Sequence, residues 1–150
     1  MVLYLILAKK MELPILFISG YINKNRSEYY RLLREVTSQE NWKDWILFIL
    51  NAVESQAAET HITVKKIRDL QEQYKRSIKE KLPKIYSADL VEFLFANPFY
   101  NQEQLSKKVG VHPNTAAKYL NLLLAEKFLE SFKHKKAKIY YNSQFLDLLS

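Results

Sequence analysis

The side chains best suited to contact a nucleic acid lie close together at residues 112–118. Asn114 carries an amide that can pair bidentately with adenine, and Lys118 is a further predicted contact. His112 lies two residues before Asn114 and is predicted to be a third contact. Thr115 has two equally supported interpretations, a groove contact or a hydroxyl that satisfies backbone groups at a helix start. These residues can act together only if one exposed helix begins beside them.

The surrounding residues 102–121 have the pattern of a helix-turn-helix. Leu105 and Val109 share one helical face, and Gly110 follows where a chain leaving a helix often needs a positive φ. Pro113 suits the first turn of the next helix, where its missing N–H costs little. The inward-facing positions of that helix are predicted to be Ala116, Tyr119, Leu120 and Leu123. The alternative is two packed helices with a tight turn and no DNA.

Two apolar runs after this helix, residues 128–132 and 139–141, predict a β-hairpin. The segment 133–138 between them is read as a basic tip. Its lysines are predicted phosphate contacts: Lys133, Lys135, Lys136 and Lys138. Upstream, Ser87 is a predicted N-cap for a helix that runs to Ala96. Three helices followed by a hairpin give the order of a winged helix.

Charge and composition narrow the function classes. The formal net charge is +7, and the first 60 residues are neutral, so the positive excess lies in the rest of the chain. The absence of cysteine excludes thiolate metal sites, and no histidine spacing suits a metal, so no cofactor is expected. The apolar start lacks the features of a signal peptide or a membrane span. We expect a cytoplasmic protein without membrane contact.

The first part of the chain is predicted to be almost entirely helical, which makes the fold mainly α with a small β-hairpin. Residues 23–38 form one predicted helix, Asn41 caps a second, and residues 59–82 form a long connecting helix. The apolar positions predicted to face a core are Tyr29, Tyr30, Leu32, Leu33, Val36, Trp42, Trp45, Ile46, Ile49 and Val53, followed by Ile67, Leu70, Tyr74 and Ile78. The boundary at residues 82–83 divides a domain 1–82 from a winged helix 83–150.

A family resemblance rests on several ordered segments. They read Leu3-Tyr4-Leu5, then Leu13-Pro14-Ile15-Leu16-Phe17-Ile18-Ser19, Tyr21-Ile22, Arg26-Ser27-Glu28-Tyr29-Tyr30-Arg31-Leu32-Leu33 and Trp42 to Trp45. Together they resemble the C-terminal part of a Fic domain (filamentation induced by cAMP), and the resemblance continues through Leu82-Pro83 into an appended winged helix-turn-helix. The resemblance implies relatives that transfer AMP from ATP to a hydroxyl of a target protein, through a His-Pro-Phe-x-x-Gly-Asn-Gly-Arg motif.

That motif is absent from this sequence. The histidines at 61, 112 and 134 are not followed by Pro-Phe or by a glycine-rich loop. No catalytic residue is therefore assigned, and ATP would be a ligand only if the motif were present. The expected function is non-enzymatic binding of double-stranded DNA in transcriptional regulation of a bacterial operon.

The alternative function is a protein-interaction or regulatory remnant of an AMP-transferase that does not bind DNA. The apolar residues 2–7 also favour a homodimer, because an uncovered apolar stripe seeks a second apolar surface.

Overall fold

The computed structural model describes residues 7–9, 17–135 and 137–149. Lys136 and the predicted dimer segment 2–7, except for Leu7, lie outside the described residues, as do the Fic-like residues 3–5 and 13–16. The described chain is mainly helical with one small antiparallel sheet, which confirms the predicted fold class at that level. Its elements are, in order, α1 Ser19–Lys24, α2 Arg26–Gln39, α3 Trp42–Lys81, α4 Ala88–Ala96, β1 Phe99–Tyr100, α5 Gln102–Val109, α6 Pro113–Ala125, β2 Glu130–His134, β3 Ala137–Tyr141 and α7 Ser143–Leu149.

The chain divides into two compact units, Met1–Ile62 and Thr63–Ser150. The division falls inside α3, because the second half of this helix is part of the second unit's core. Tyr74 and Ile78 are buried there, which agrees with the stripe predicted on the connecting helix. The predicted boundary at residues 82–83 coincides with the end of α3.

The core of the first unit is built around α2 and the first half of α3. Leu32, Phe48 and Ala52 are buried, and the Phe48 ring contacts Tyr29 and Trp45 at centroid distances of 6.2 and 6.4 Å. A core role for part of the aromatic set is thereby confirmed.

Four positions predicted to face this core are instead exposed: Tyr30, Leu33, Trp42 and Ile46. On α3, Trp42 and Ile46 are four residues apart and share one stripe, whereas Phe48 and Ala52 form a different one. The prediction was wrong for these four because apolar residues occur on more than one face of each helix.

The core of the second unit is formed by the sheet and by the four helices α3, α4, α5 and α6. Its strands are antiparallel in the order β1-β3-β2. Phe99 pairs with Tyr141 and Tyr100 with Tyr140, so the short β1 joins the hairpin from 40 and 42 residues away in sequence. The fully buried helical side chains of this core come from α3, α4, α5 and α6: Ile78, Leu90, Leu94, Leu105, Ala116, Leu120 and Leu123. These contacts hold α5, α6 and the hairpin in fixed relative positions.

Candidate functional site

The helix α5 is closed at both ends by local hydrogen bonds. Asn101 accepts from the Gln104 backbone N–H at 3.0 Å, and the Gln104 side chain accepts from the Asn101 N–H at 2.8 Å, which forms a capping box. At the other end Gly110 has φ 70°, the left-handed conformation that the sequence predicted for the turn. The turn between α5 and α6 is therefore set by residues in the turn itself.

Three hydrogen bonds join α5 to the turn and to the start of α6. The Ser106 hydroxyl donates to the Val111 carbonyl at 2.7 Å, and the Ser106 carbonyl accepts from Val111 N–H at 3.2 Å. The Gln102 side chain donates to the Pro113 carbonyl at 2.9 Å. Ala116 is fully buried, which confirms its predicted inward-facing position. The start of α6 is thus held rigidly against the start of α5.

The predicted contact residues lie on the first two turns of α6. His112, Asn114 and Lys118 are exposed, and Thr115 is half-buried. His112 is the N-cap, because its Nδ1 accepts from the Asn114 N–H at 3.2 Å, which leaves Nε2 as the protonated nitrogen of a neutral ring. Within the described residues the Thr115 hydroxyl makes no hydrogen bond, so it does not satisfy backbone groups at the helix start. The His112 side chain caps the helix instead.

The hairpin differs from the prediction in the length of its strands. Lys133 and Lys138 were placed in the tip, but they are directly paired across β2 and β3. The tip is shorter because only residues 135–136 separate the strands, and Lys135 has φ 54°, as a two-residue reversal requires. Phe128 and Leu129, which were predicted to belong to the first strand of the hairpin, are buried residues that precede β2.

A shallow depression of about 290 Å³ joins the hairpin to the helix pair. It is lined by Asn101, Gln102, Glu103, Pro113, Ala137, Lys138 and Tyr140. The Lys138 ammonium lies 5.1 Å from the centre of the Tyr140 ring, a cation–π distance. The structure therefore brings Lys138 next to the start of α6. Gln102 also belongs to this surface, although it was not predicted from the sequence. Its position just after the capping residue Asn101 is the feature of the sequence that could have identified it.

The lysines around the helix pair and the hairpin differ in whether they pair with a carboxylate. Lys107 pairs with Glu103 at 3.0 Å and Lys108 with Glu92 at 2.9 Å, and the hydrogen bond to Glu92 raises the pKa of Lys108. In the part of the chain that the structure describes, no carboxylate pairs with Lys118, Lys133, Lys135 or Lys138. The described lysines of α6 and the hairpin thus carry positive charge without a carboxylate partner, as do several described cations of α3, among them Lys66, Arg68 and Arg76.

Asn142, which follows the hairpin, is fully buried. Its Oδ1 accepts from the Tyr74 hydroxyl at 3.0 Å and from the Phe145 N–H at 3.1 Å, and the Tyr74 hydroxyl also lies 3.1 Å from the Phe128 carbonyl. Burial raises the pKa of Tyr74 to about 12, and burial also raises the pKa of Tyr100. These hydrogen bonds connect α3 to the residue that follows β3 and to the segment that precedes β2.

No cluster of three metal-ligating side chains occurs among residues 7–9, 17–135 and 137–149. Over the same residues, no helix combines the length and the apolar character needed to cross a membrane.

One comparison with known families adds to this geometry. The family model described as "Protein adenylyltransferase SoFic-like, C-terminal domain" matches residues 70–145, slightly more than half of the chain. The match begins in the second half of α3 and ends in α7, so it includes the helix pair and the whole hairpin.

Proposed function

The chain belongs to the family of SoFic-like protein adenylyltransferases by its C-terminal domain, and we propose that residues 83–150 of this domain are a winged helix that binds double-stranded DNA. In this proposal α6 is the reading helix and the β2–β3 hairpin is the wing. The chain acts as a transcriptional regulator in the bacterial cytoplasm.

The observation that carries the proposal is the pairing of Lys133 with Lys138. Like charges directly opposite each other on neighbouring strands repel, so such a pair is unfavourable for folding. His134 pairs with Ala137 across a two-residue turn, so these two residues form a hydrogen-bonded pair. Because hydrogen-bonded and non-hydrogen-bonded pairs alternate, Lys133 and Lys138 form a non-hydrogen-bonded pair, in which the side chains are closer. A phosphate between the two ammonium groups removes this repulsion, since each lysine then meets an anion.

The position of Lys138 links the wing to the reading helix. Because Lys138 and Pro113 line the same depression, one DNA backbone can meet the wing while the adjacent groove receives the start of α6. Asn114 and Lys118 are exposed there and supply base contacts, and His112 supplies an Nε2 donor. Phosphate contacts set the register, and the helix reads the sequence.

A titration of fluorescent duplex by anisotropy, at two salt concentrations, tests the proposal. Binding must weaken steeply with salt if lysines neutralise phosphates, since each contact adds about 0.9 to the slope of log affinity against log salt. Absence of binding at 50 mM salt, or binding insensitive to salt, would instead support the alternative of a protein-interaction module.

We further propose that this chain does not transfer AMP. The sequence lacks the His-Pro-Phe-x-x-Gly-Asn-Gly-Arg motif, and with it both the general base and the phosphate-cradling loop. Incubation with labelled ATP, magnesium and candidate proteins should give no labelled product above a buffer control. Labelled product in that assay would overturn this part of the proposal.

A further inference from the structure

The outer face of the small sheet carries an exposed aromatic cluster. Phe99, Phe132 and Tyr141 contact one another at centroid distances of 6.2, 6.1 and 6.0 Å, and Phe99 and Phe132 are 49% and 44% exposed. Tyr100 and Tyr140 occupy the opposite, buried face. Exposed aromatic rings in mutual contact are more typical of an interface than of an isolated surface residue.

The strand β2 beside this cluster is an edge strand. His134 and Ala137 close the two-residue turn as a hydrogen-bonded pair, so Phe132 and Glu130 also bond to β3. By the same alternation, the backbone groups of Ser131 and Lys133 point to the free edge. Among the described residues, no backbone hydrogen bond to a further strand or loop meets them. An unpaired edge of this kind is a template for another strand.

The sequence of this edge is complementary to itself. We propose that a second copy of this chain pairs antiparallel with β2 across a two-fold axis centred on Phe132. Ser131 then lies opposite the partner's Lys133, and the two equivalent pairs form four backbone hydrogen bonds. Glu130 lies opposite the partner's His134 at each end, which joins an acidic to a basic side chain.

The same register places the two Phe132 rings together at the centre, as a non-hydrogen-bonded pair, in which side chains are closest. The two aromatic clusters then merge into one. The side chains of Lys133 and Lys138 lie on the other face of the sheet, so the pairing leaves the proposed phosphate contacts free.

The interface is small, which sets its expected strength. The side chains of Phe and Tyr each bury about 150–250 Å² when fully covered, and two of the three here are about half exposed. The total buried area therefore falls below the roughly 1,000 Å² of a stable complex. We therefore expect a weak, transient dimer that is best detected by trapping.

Cysteine cross-linking without DNA tests the register, because the chain has no cysteine of its own. Phe132→Cys places two thiols about 4.5–5.5 Å apart at Cβ, close to the spacing of a disulfide. Mild oxidation should yield a disulfide-linked dimer at least tenfold faster than Gln144→Cys, an exposed position on α7. Ser131→Cys should behave like the control, since it lies opposite the partner's Lys133. Equal rates for Phe132→Cys and the control, or faster linking of Ser131→Cys, would overturn the proposal.

Charge exchange in the Phe132→Cys background tests the paired ends. Glu130→Lys should slow cross-linking several-fold, because the carboxylate opposite the partner's His134 is then replaced by an ammonium group. The double change Glu130→Lys with His134→Glu should restore the rate, although both variants lose the Tyr141–Glu130 hydrogen bond of 2.7 Å. Circular dichroism confirms folding of each variant. A double variant as slow as Glu130→Lys would refute the pairing, whatever the DNA titration shows.

Discussion

The replacement Lys133→Gln should move folding stability and DNA affinity in opposite directions. In the free protein Lys133 faces Lys138 across the hairpin, and like charges in this position cost about 0.2–1 kcal/mol. Lys138 keeps its position over the Tyr140 ring in the variant, so the cation–π contact is not lost. The variant should therefore be more stable toward urea by a few tenths of a kcal/mol.

The same replacement removes one proposed phosphate contact. Because one contact contributes about 0.9 to the salt slope, a rise from 50 to 200 mM salt should weaken the wild-type chain about 3.5-fold more than the variant. Anisotropy titrations of one duplex at several salt concentrations measure this difference. Lys66→Gln is the control, because Lys66 is exposed on α3 beside Gln144 and Leu148 of α7 and away from the hairpin. An unchanged slope in Lys133→Gln, or a slope equally reduced in Lys66→Gln, would refute the reasoning.

Three further predictions address other parts of the chain. Asn114→Ala should reduce discrimination among duplexes by about 1–3 kcal/mol at one base position, measured by competition binding; an equal loss for all sequences would contradict its reading role. Gly110→Ala should destabilise the fold by about 1–2 kcal/mol in urea, because φ is 70° although no atom lies within 4 Å of the added Cβ. Gly20→Ala is its control, since Gly20 is helical and its Cβ would meet only the flexible end of Gln56, so little or no loss is expected there. Ultraviolet titration should show three of the ten tyrosines ionising late, because burial raises the pKa of Tyr74 and Tyr100 and the hydrogen bond to Glu130 raises the pKa of Tyr141. The folded-state pKa of Tyr74 is raised from 10 to about 12. The contribution of this hydroxyl to folding stability is therefore complete below pH 10 and is lost as the pH rises from 10 to 12. Ionisation of every tyrosine near pH 10 with the fold intact would contradict this prediction.

The helix pair could be predicted from the sequence because its signals are local. The glycine at 110 and the proline at 113 each act on the residues next to them, and the structure has both in the expected places. The groove-facing roles of Asn114 and Lys118 remain predictions, since they concern a partner molecule.

The elements that sequence reasoning missed depend on distant partners. The strand β1 has two residues, and it exists because Phe99 and Tyr100 pair with residues 141 and 140. The short helix α7 was also not predicted; it is capped by Asn142, whose burial depends on Tyr74 in another helix. Helical spacing identifies apolar stripes but does not say which stripe is covered, and this explains the misplaced Trp42 and Ile46.

The burial of Tyr74 and Ile78 determines where a fragment that contains the second unit must begin if it is to fold by itself. Both side chains belong to α3, yet both are part of the second unit's core, with exposures of 4% and 0%. Removing a large buried apolar side chain costs about 2–5 kcal/mol, and a whole domain is stable by only about 5–15 kcal/mol. A fragment that begins at Pro83 loses both side chains and the hydroxyl that donates to Asn142, so it should not fold. An independently folding fragment must retain α3 from upstream of Leu70, which makes the linking helix an integral part of the module that follows it.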